Sequence, residues 1–228
     1  MNQATQKEKL LVADRVTFAY KTRHQIVWAV RDVSYEFEAG KVYAIVGKSG
    51  CGKTTLISTL AGLNQPTMGE IRYEGVSLFK TDRNLYRRDR VAVIYQNYNL
   101  FPLLTVLENV LYPMELQGKP RKEARALAEE KLKSVGLDES YFKRLPAMLS
   151  GGEQQRVAIA RALASGQRII LADEPTGNLD GENSDLVMKT FQRLAHKEGY
   201  CVIIVTHDPQ IADESDVIVR MESGKIVS

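Results

Sequence analysis

The residues best suited to chemistry in this sequence form a short glycine-rich run at positions 47–54. The run is GKSGCGKT and fits the spacing G-x-x-x-x-G-K-[ST], in which glycines let the backbone wrap closely around a phosphate. N–H groups at the start of a following helix add a positive dipole, so the loop favours an anion. We expect Lys53 to reach the outer phosphates of a nucleotide and the Thr54 hydroxyl to bind Mg²⁺. The residues assigned to this site are Gly47, Lys48, Ser49, Gly50, Cys51, Gly52, Lys53, Thr54 and Thr55.

Two adjacent carboxylates, Asp173 and Glu174, follow the apolar run at 169–172. A buried parallel strand would place them at the carboxyl edge of a sheet, beside the phosphate loop. Asp173 would then hold Mg²⁺, directly or through its waters, and Glu174 would accept a proton from an attacking water as general base. A lone Asp-Glu pair is usually a solvated turn, but its occurrence together with the glycine loop favours the catalytic interpretation.

A second glycine-containing segment, residues 149–156, has the features of a helix start. Ser150 suits the N-cap, and Gly151 and Gly152 leave the first N–H groups approachable. A capping box between Ser150 and Glu153 is the purely structural interpretation. Approachable N–H groups at a helix start also attract anions, so the sequence predicts a second phosphate-binding surface.

These motifs resemble those of the ATP-binding-cassette ATPases. Residues 149–153 are similar to the family's signature sequence, and the glycine loop and the Asp-Glu pair match its other two motifs. The resemblance covers nearly the whole chain. It implies a head-to-tail dimer in which each ATP lies between the phosphate loop of one subunit and the signature of the other. A second ATPase subunit is therefore implied, and we expect a homodimer that binds ATP and Mg²⁺.

The resemblance also implies roles for single residues. Tyr20 matches the aromatic residue that stacks on adenine, and Gln96 matches the glutamine that touches Mg²⁺ or the attacking water and senses the transmembrane partner. His207 matches the histidine that contacts the γ-phosphate, and Asp180 matches the acidic residue of a loop that reaches across the dimer. Alone, Tyr20 would be an ordinary strand residue and His207 a structural histidine. The implied catalytic residues are Glu174, His207, Gln96 and Lys53, and the implied metal ligands are Thr54, Gln96 and Asp173.

The hydrophobic patterns predict the elements that position these residues. Alternating apolar segments at 12–20 and 30–37 predict an antiparallel sheet. Short, almost wholly apolar runs predict buried parallel strands at 42–46, 168–172 and 201–206. Helical periodicity over 182–197 links the last two in a β-α-β crossover. Apolar residues at three- and four-residue spacings predict a helical lobe over 105–117, 121–136 and 151–165.

The predicted fold class is therefore α/β. We expect a P-loop NTPase with a mostly parallel core sheet, an N-terminal antiparallel β subdomain and an inserted α-helical subdomain. A chain of this length suits one core divided into lobes, so residues 1–228 are predicted to be a single nucleotide-binding domain. Residues 1–96 and 166–228 would form the core and the β subdomain, and residues 97–165 the helical subdomain.

Composition excludes several other classes of protein. Apolar residues make up 44% and charged residues 26%, the balance of an ordinary globular protein in water. No apolar run approaches the ~20 residues of a membrane-spanning helix, and residues 1–10 lack the apolar segment of a secretory signal. The net charge of +3 is too small to indicate a nucleic-acid partner. We expect a peripheral location at the cytoplasmic face of the cell membrane.

The segment after Gln96, residues 97–114, is more apolar than one helix face can hide, so an exposed patch is expected there. Such a patch would suit docking of a cytoplasmic helix of an integral membrane permease, the contact that this lobe makes in the family. Only about fifty residues separate Gln96 from Ser150, and no heptads are sustained, which excludes the coiled coil of DNA-repair and chromosome members.

The run at 173–180, DEPTGNLD, resembles transporter cassettes. Its Gly177-Asn178 resembles the branch that serves lipoprotein release, macrolide or antimicrobial-peptide export and a cell-division relative. Because Glu174 is not replaced by a neutral residue, we predict active ATP hydrolysis. The expected function is an ATPase subunit that drives a membrane permease, with export or extraction of a hydrophobic or peptide substrate. The alternative is a cassette ATPase without a transport role, either a cell-division regulator or an iron–sulfur cluster assembly ATPase.

Overall fold

The structure is a computed structural model that describes residues 9–227. Its strands are β1 (Lys9–Lys21), β2 (Ile26–Glu38), β3 (Lys41–Val46), β4 (Met68–Tyr73), β5 (Val76–Ser77), β6 (Val91–Ile94), β7 (Ile169–Asp173), β8 (Cys201–Thr206), β9 (Val217–Glu222) and β10 (Lys225–Ile226). Its helices are α1 (Lys53–Leu60), α2 (Arg83–Asp89), α3 (Val106–Leu116), α4 (Arg121–Ser134), α5 (Gly151–Ala164), α6 (Gly181–Glu198) and α7 (Pro209–Asp213). Most of the segment 1–10, expected to lack a signal sequence, and the outer domain limits, 1 and 228, lie outside the described residues.

An antiparallel sheet with the strand order β2-β1-β4-β5 opens the chain. Buried apolar residues such as Leu11 and Val16 place one face of β1 in the core, as the alternation predicts. β2 begins four residues earlier than position 30, where the alternation starts. Its first residues pair with the end of β1, Val27 opposite Tyr20, but they are exposed and therefore carry no alternating signal.

The second sheet has the order β10-β9-β3-β8-β7-β6. β6, β7, β8, β3 and β9 run parallel, and β10 forms an antiparallel hairpin with β9. The predicted crossover is confirmed, because β7 and β8 are parallel neighbours joined through α6. Carboxyl ends of parallel strands meet at one edge, so the segments that follow β3, β7 and β8 converge there.

Helices α3, α4 and α5 form a lobe between β6 and β7 in the chain, and the predicted fold class is confirmed. Their facing residues include the fully buried Val110, Leu132 and Val157. α3 begins at a capping box in which the Thr105 N–H donates to a Glu108 carboxylate oxygen at 2.8 Å. Within residues 9–227, no helix has the length and apolar character needed to cross a membrane.

Two short helices, α2 and α7, were not predicted from the sequence. Each is shorter than two turns, so an apolar period could not be recognised. Both begin at an aspartate: the Asp82 carboxylate accepts from the Asn84 N–H at 2.8 Å, and Asp208 accepts from the Gln210 N–H at 2.9 Å. These N-caps were therefore the available signal for the two helix starts.

Candidate active site

The phosphate loop joins β3 to α1, and two of its glycines lie against neighbouring strands. A Cβ atom added to Gly47 would lie 2.2 Å from the carbonyl oxygen of Met221 in β9. One added to Gly52 would lie 2.0 Å from the carbonyl oxygen of Ala29 in β2, and Gly52 has a left-handed φ of 106°. Only glycine fits at these two positions, so the loop is fixed at the carboxyl edge of the sheet.

Lys53 and Cys51 occupy different sides of this loop. Lys53 is only 7% exposed, and its Nζ donates to the carbonyl oxygens of Gly47 at 2.7 Å and Lys48 at 3.2 Å. Its ammonium group therefore lies within the loop that would surround a phosphate. Cys51 is buried against the core, and its carbonyl oxygen accepts from the Gly224 N–H at 2.9 Å. Its thiol supports the loop from the core side.

A cavity of about 650 Å³ opens beside the loop. The predicted site residues that line it come from separate parts of the chain: Tyr20, Ser49, Gly50, Gly52, Lys53, Thr54, Thr55, Gln96, Glu174 and His207. The structure therefore brings together most of the residues assigned from the sequence. Four further lining residues were missed: Val27, Trp28, Ala29 and Val205.

Two aromatic side chains lie on the wall of this cavity that β1 and β2 provide. The Tyr20 hydroxyl is 3.2 Å from Thr55 Oγ1, and its ring packs edge-on against Phe18 with centroids 5.0 Å apart. Trp28 is 40% exposed and is the single tryptophan of the chain. Both rings are thus accessible to a flat apolar ligand group such as a base.

Oxygen donors suited to Mg²⁺ lie at the start of α1 and the end of β7. Thr54 Oγ1 donates to Asp173 Oδ1 at 3.3 Å, and the Gln96 amide lines the same cavity. Burial raises the pKa of Asp173, and so does nearby Glu174, whereas the Thr54 hydrogen bond and Lys53 lower it. A partly desolvated carboxylate gains from a neighbouring cation. Mg²⁺ at nucleotide sites is commonly bound by one or two carboxylates and by substrate phosphates, and the oxygens of Thr54 and Asp173 suit such a site.

Glu174 follows Asp173 directly but has an unusual backbone conformation. Its φ is +48°, in the left-handed region that costs a side chain on the order of 1 kcal/mol. The Glu174 N–H donates to the Val205 carbonyl oxygen in β8 at 2.9 Å, which holds this turn at the sheet edge. Glu174 Oε2 lies 2.9 Å from His207 Nδ1. Neighbouring strands thus bring together two residues that are remote in sequence.

Gln96 lies just after the end of β6 and lines the same cavity as Glu174 and His207. Its side chain is exposed, and its Nε2 would lie 3.2 Å from a Cβ atom added to Gly177. The Gln96 carbonyl oxygen accepts from Asn178 Nδ2 at 3.3 Å. Gln96 is therefore held against the loop that follows Glu174.

The other predicted phosphate-binding surface lies at the start of α5, and none of its residues lines the cavity. The capping box is present: Ser150 N–H donates to Glu153 Oε2 at 2.7 Å, and Glu153 N–H donates to Ser150 Oγ at 3.3 Å. Burial alone would raise the pKa of Glu153, but hydrogen bonds from Ser150 and Tyr141 outweigh it and keep the pKa below its ordinary value. Ser150 and Gly151 retain partial or full exposure.

The start of α6 packs beside the start of α5. A Cβ atom added to Gly152 would lie 2.7 Å from the Asn183 side chain. Asn183 Oδ1 accepts from Arg156 Nη1 at 2.6 Å, and Asp180 Oδ1 accepts from the Asn183 N–H at 2.9 Å. Asp180 is thereby placed next to the second surface, at some distance in the chain from the phosphate loop.

A parallel sheet with a glycine loop between β3 and α1, and two carboxylates after a nearby strand, defines a P-loop nucleotide hydrolase. Residues 30–177 match the family model described as ABC transporter. This match covers more than half of the chain, and the chain therefore belongs to the ABC transporter family.

Relatives of known sequence are similar over almost their whole length. The chain is 43% identical over 215 residues to YclH of Bacillus subtilis, an uncharacterized ABC transporter ATP-binding protein, and the match covers 94% of each. It is 40% identical over 218 residues to LolD 1 of Rhodospirillum rubrum, a lipoprotein-releasing system ATP-binding protein, covering 94% of this chain and 96% of LolD 1.

A solved structure of the dimeric ABC transporter cassette MJ0796 of Methanocaldococcus jannaschii is similar throughout. Its TM-score is 0.90 at 36% identity, and the match covers 96% of this chain and 97% of that one. Another structure of MJ0796 is a dimeric post-hydrolysis state bound to ADP and Pi, with the same score. The chain is accordingly an ATP-binding subunit of an ABC transporter and an ATPase, and the predicted family and activity are confirmed.

Proposed function

We propose that two copies of this chain bind head-to-tail around two Mg-ATP molecules and that this closure drives a membrane permease. The observation that carries the proposal is the separation of two phosphate-binding surfaces on one chain. The phosphate loop lines the cavity, whereas Ser150 and Gly151 lie at the start of α5 outside it. A two-fold axis brings each surface to the other, so two complete sites form at once. The dimeric MJ0796 structures support this arrangement.

Within each site, the chain's groups have separate roles. The loop N–H groups and Lys53 bind the outer phosphates, and Tyr20 stacks on adenine. Thr54, Asp173 and Gln96 would hold Mg²⁺, which when bound would supply positive charge beside the phosphates. Asp180, at the start of α6, faces the partner copy.

Glu174 and His207 activate the water. With the proton on Nδ1, His207 donates to Glu174 Oε2 across 2.9 Å and leaves Oε1 to accept the proton of the attacking water. The other imidazole nitrogen, Nε2, can donate to the γ-phosphate when it also carries a proton. The left-handed backbone conformation of Glu174 fixes the carboxylate in this position. Backbone strain of this kind is common at functional sites.

The permease is proposed to dock in a groove between the two lobes. The groove has a volume of about 400 Å³ and is lined mainly by apolar residues, including Leu63, Pro113 and Leu116. Arg87, Arg88 and Arg161 also line it, and none of the described lining residues is acidic. An amphipathic cytoplasmic segment with apolar side chains and a carboxylate complements this surface. Binding there would hold the chain peripherally at the cytoplasmic face of the membrane.

The proposed transport reaction is export or extraction of a hydrophobic or peptide substrate. Support comes from the 40% identity to LolD 1, which is named for lipoprotein release. Gly177-Asn178, in the loop that touches Gln96, is the sequence feature that first indicated this branch. The substrate itself would be bound by the membrane subunits.

Size-exclusion chromatography tests the dimer. Glu174→Gln keeps the ATP contacts and removes the base, so with ATP and Mg²⁺ it should elute as a dimer, and with ATP and EDTA as a monomer. Adding Ser150→Arg to this variant blocks the second surface and should restore the monomer. The proposal is wrong if Glu174→Gln remains monomeric while the unaltered protein hydrolyses ATP.

Co-purification tests the permease. Leu116 is 57% exposed in the groove, and Val76, 55% exposed on β5, is a matched apolar residue outside it. A co-purifying membrane protein should be lost from Leu116→Glu and retained by Val76→Glu, while both variants keep ATPase activity in isolation. If both variants retained the membrane protein equally, the groove would be excluded as its docking site. Co-purification with cluster-assembly proteins or nucleic acid, without a membrane protein, would contradict the transport role.

A further inference from the structure

Arg161, near the end of α5, binds the backbone that follows Gln96. Its Nη2 donates to the Tyr98 carbonyl oxygen at 2.9 Å, and its Nη1 donates to the Asn99 carbonyl oxygen at 2.8 Å. The guanidinium carbon also lies 6.0 Å from the ring centroid of Phe101. One side chain of α5 thus contacts three residues of the loop between β6 and α3.

The environment of Arg161 indicates a dedicated role for this charge. Burial lowers the pKa of its guanidinium, and the hydrogen bonds that this group donates go to two backbone carbonyl oxygens. A cation that is partly withdrawn from water is unfavourable unless strong hydrogen bonds compensate. Tyr98 and Asn99, which accept those bonds, have left-handed φ values of 60° and 46°. Arg161 therefore stabilises a backbone shape that these residues do not favour alone.

Other contacts fasten the same loop to the helical lobe. The fully buried Asn109 of α3 accepts from the Phe101 N–H at 2.8 Å and donates to the Leu104 carbonyl oxygen at 3.0 Å. The Tyr98 hydroxyl lies 2.9 Å from where a Gly151 Cβ atom would be. From Tyr98 onward the loop is therefore bound to the lobe, and Gln96 stands at the junction with the core sheet.

We propose that Arg161 is a positioning residue that couples the two nucleotide sites of the dimer through Gln96. This inference rests on the proposed head-to-tail dimer. The start of α5 grips the ATP held by the partner, so closure fixes the position of that helix. Arg161 transmits this position through the carbonyls of Tyr98 and Asn99 to Gln96, which faces the ATP in its own chain. Each site would then complete its Mg²⁺ and water contacts more fully when the other is occupied.

A double-mutant cycle on the full chain tests the coupling. Arg161→Met should lower kcat for ATP roughly ten-fold, within the 10–100-fold range of lost supporting contacts around a metal site. The KM for ATP should change little, because Tyr20 and Lys53 are untouched. In a Gln96→Ala background, the same substitution should cause no further loss. Arg161→Lys keeps one charged donor and should recover part of the rate.

Controls separate positioning from damage to the fold. Arg125 in α4 is exposed and forms an ion pair with Glu129 across one turn, so Arg125→Met should keep wild-type kcat. Thermal unfolding is measured for every variant, and if Arg161→Met does not fold, the cycle is run with Arg161→Lys. The coupling would be wrong if Arg161→Met lowered kcat by the same factor with and without Gln96→Ala, or if Arg161→Met kept wild-type kcat. Either result would leave the proposed dimer unaffected. Full activity of Gln96→Ala would overturn both the role of Gln96 and its link to Arg161.

Discussion

Replacing Asp173 by asparagine should stabilise the nucleotide-free protein while removing its activity. The pKa of Asp173 is raised from its ordinary value of 3.8, chiefly by burial. A raised carboxyl pKa means that the folded state holds the proton more tightly than the unfolded state, so stability falls as the pH rises above about 3.8. At neutral pH the ionised carboxylate therefore destabilises the fold. Asparagine cannot ionise, and its amide oxygen can still accept the hydrogen bond from Thr54.

The expected gain is modest because Asp173 is only partly buried. Single stabilising substitutions commonly contribute about 0.5–2 kcal/mol, and partial solvent access places this one in the lower half, about 0.5–1 kcal/mol. For a protein of this size each kcal/mol shifts the melting temperature by about 2–4 °C, which gives an increase of about 1–4 °C.

In the presence of Mg-ATP the wild-type protein should be more stable than Asp173→Asn, the reverse of their order without ligand. At a ligand concentration of about 100 times Kd, binding stabilises the wild-type protein by about 2.7 kcal/mol. Loss of a Mg²⁺ ligand that weakens binding ten-fold removes about 1.4 kcal/mol of this effect, more than the gain in the free protein. Differential scanning fluorimetry at pH 5 and pH 8, with and without Mg-ATP, measures both effects, and the gain should be no smaller at pH 8.

Asp213 provides the matched control for this experiment, because it is an exposed aspartate at the end of α7. Asp213→Asn should change neither the free melting temperature nor the shift caused by Mg-ATP. The reasoning would be refuted if Asp173→Asn lowered the melting temperature of the free protein at pH 8, or if Mg-ATP stabilised it as strongly as the wild type.

Three further changes test separate parts of the site. Glu174→Gln should lower kcat by about 10²–10⁴-fold in a phosphate-release assay, the usual contribution of a general base; an unchanged rate would exclude that role. Tyr20→Ala should weaken ATP binding by about 0.5–1.5 kcal/mol and Tyr20→Phe much less, measured by fluorescence of Trp28; equal losses would argue against stacking. Gly47→Ala, whose Cβ would meet a carbonyl at 2.2 Å, should lower the melting temperature more than Gly50→Ala, which meets nothing within 4 Å.

Local spacing made the phosphate loop and the Asp-Glu pair predictable. The motif defines the loop as eight consecutive residues, 47–54. The apolar run at 169–172 places Asp173 at the end of a strand. The lobes were also predictable, because α3, α4 and α5 are long enough to show a helical period. Assignment of Gln96 and His207 depended on the family resemblance, since neither residue has a distinctive local pattern.

Contacts between residues that are distant in sequence could not be predicted from local spacing or periodicity. The contact between Glu174 and His207 depends on β7 and β8 being neighbours. The hydrogen bond from Arg161 to the Tyr98 carbonyl oxygen joins residues that are more than sixty positions apart in the sequence. Trp28 was missed because the start of β2 is exposed and lacks alternation. The left-handed backbone of Glu174 is likewise imposed by its bond to β8, and its sequence alone would not favour it.

Mixing two inactive variants tests most directly whether each ATP site is shared between copies. Glu174→Gln lacks the base but keeps its second phosphate-binding surface, and Ser150→Arg lacks that surface but keeps its base. If the site is shared, mixed dimers contain one complete site. ATPase activity should then rise above that of either variant alone, to at most about a quarter of the wild-type rate, because half of randomly assorted dimers are mixed and each holds one complete site of two. A mixture as inactive as its two components would contradict the account.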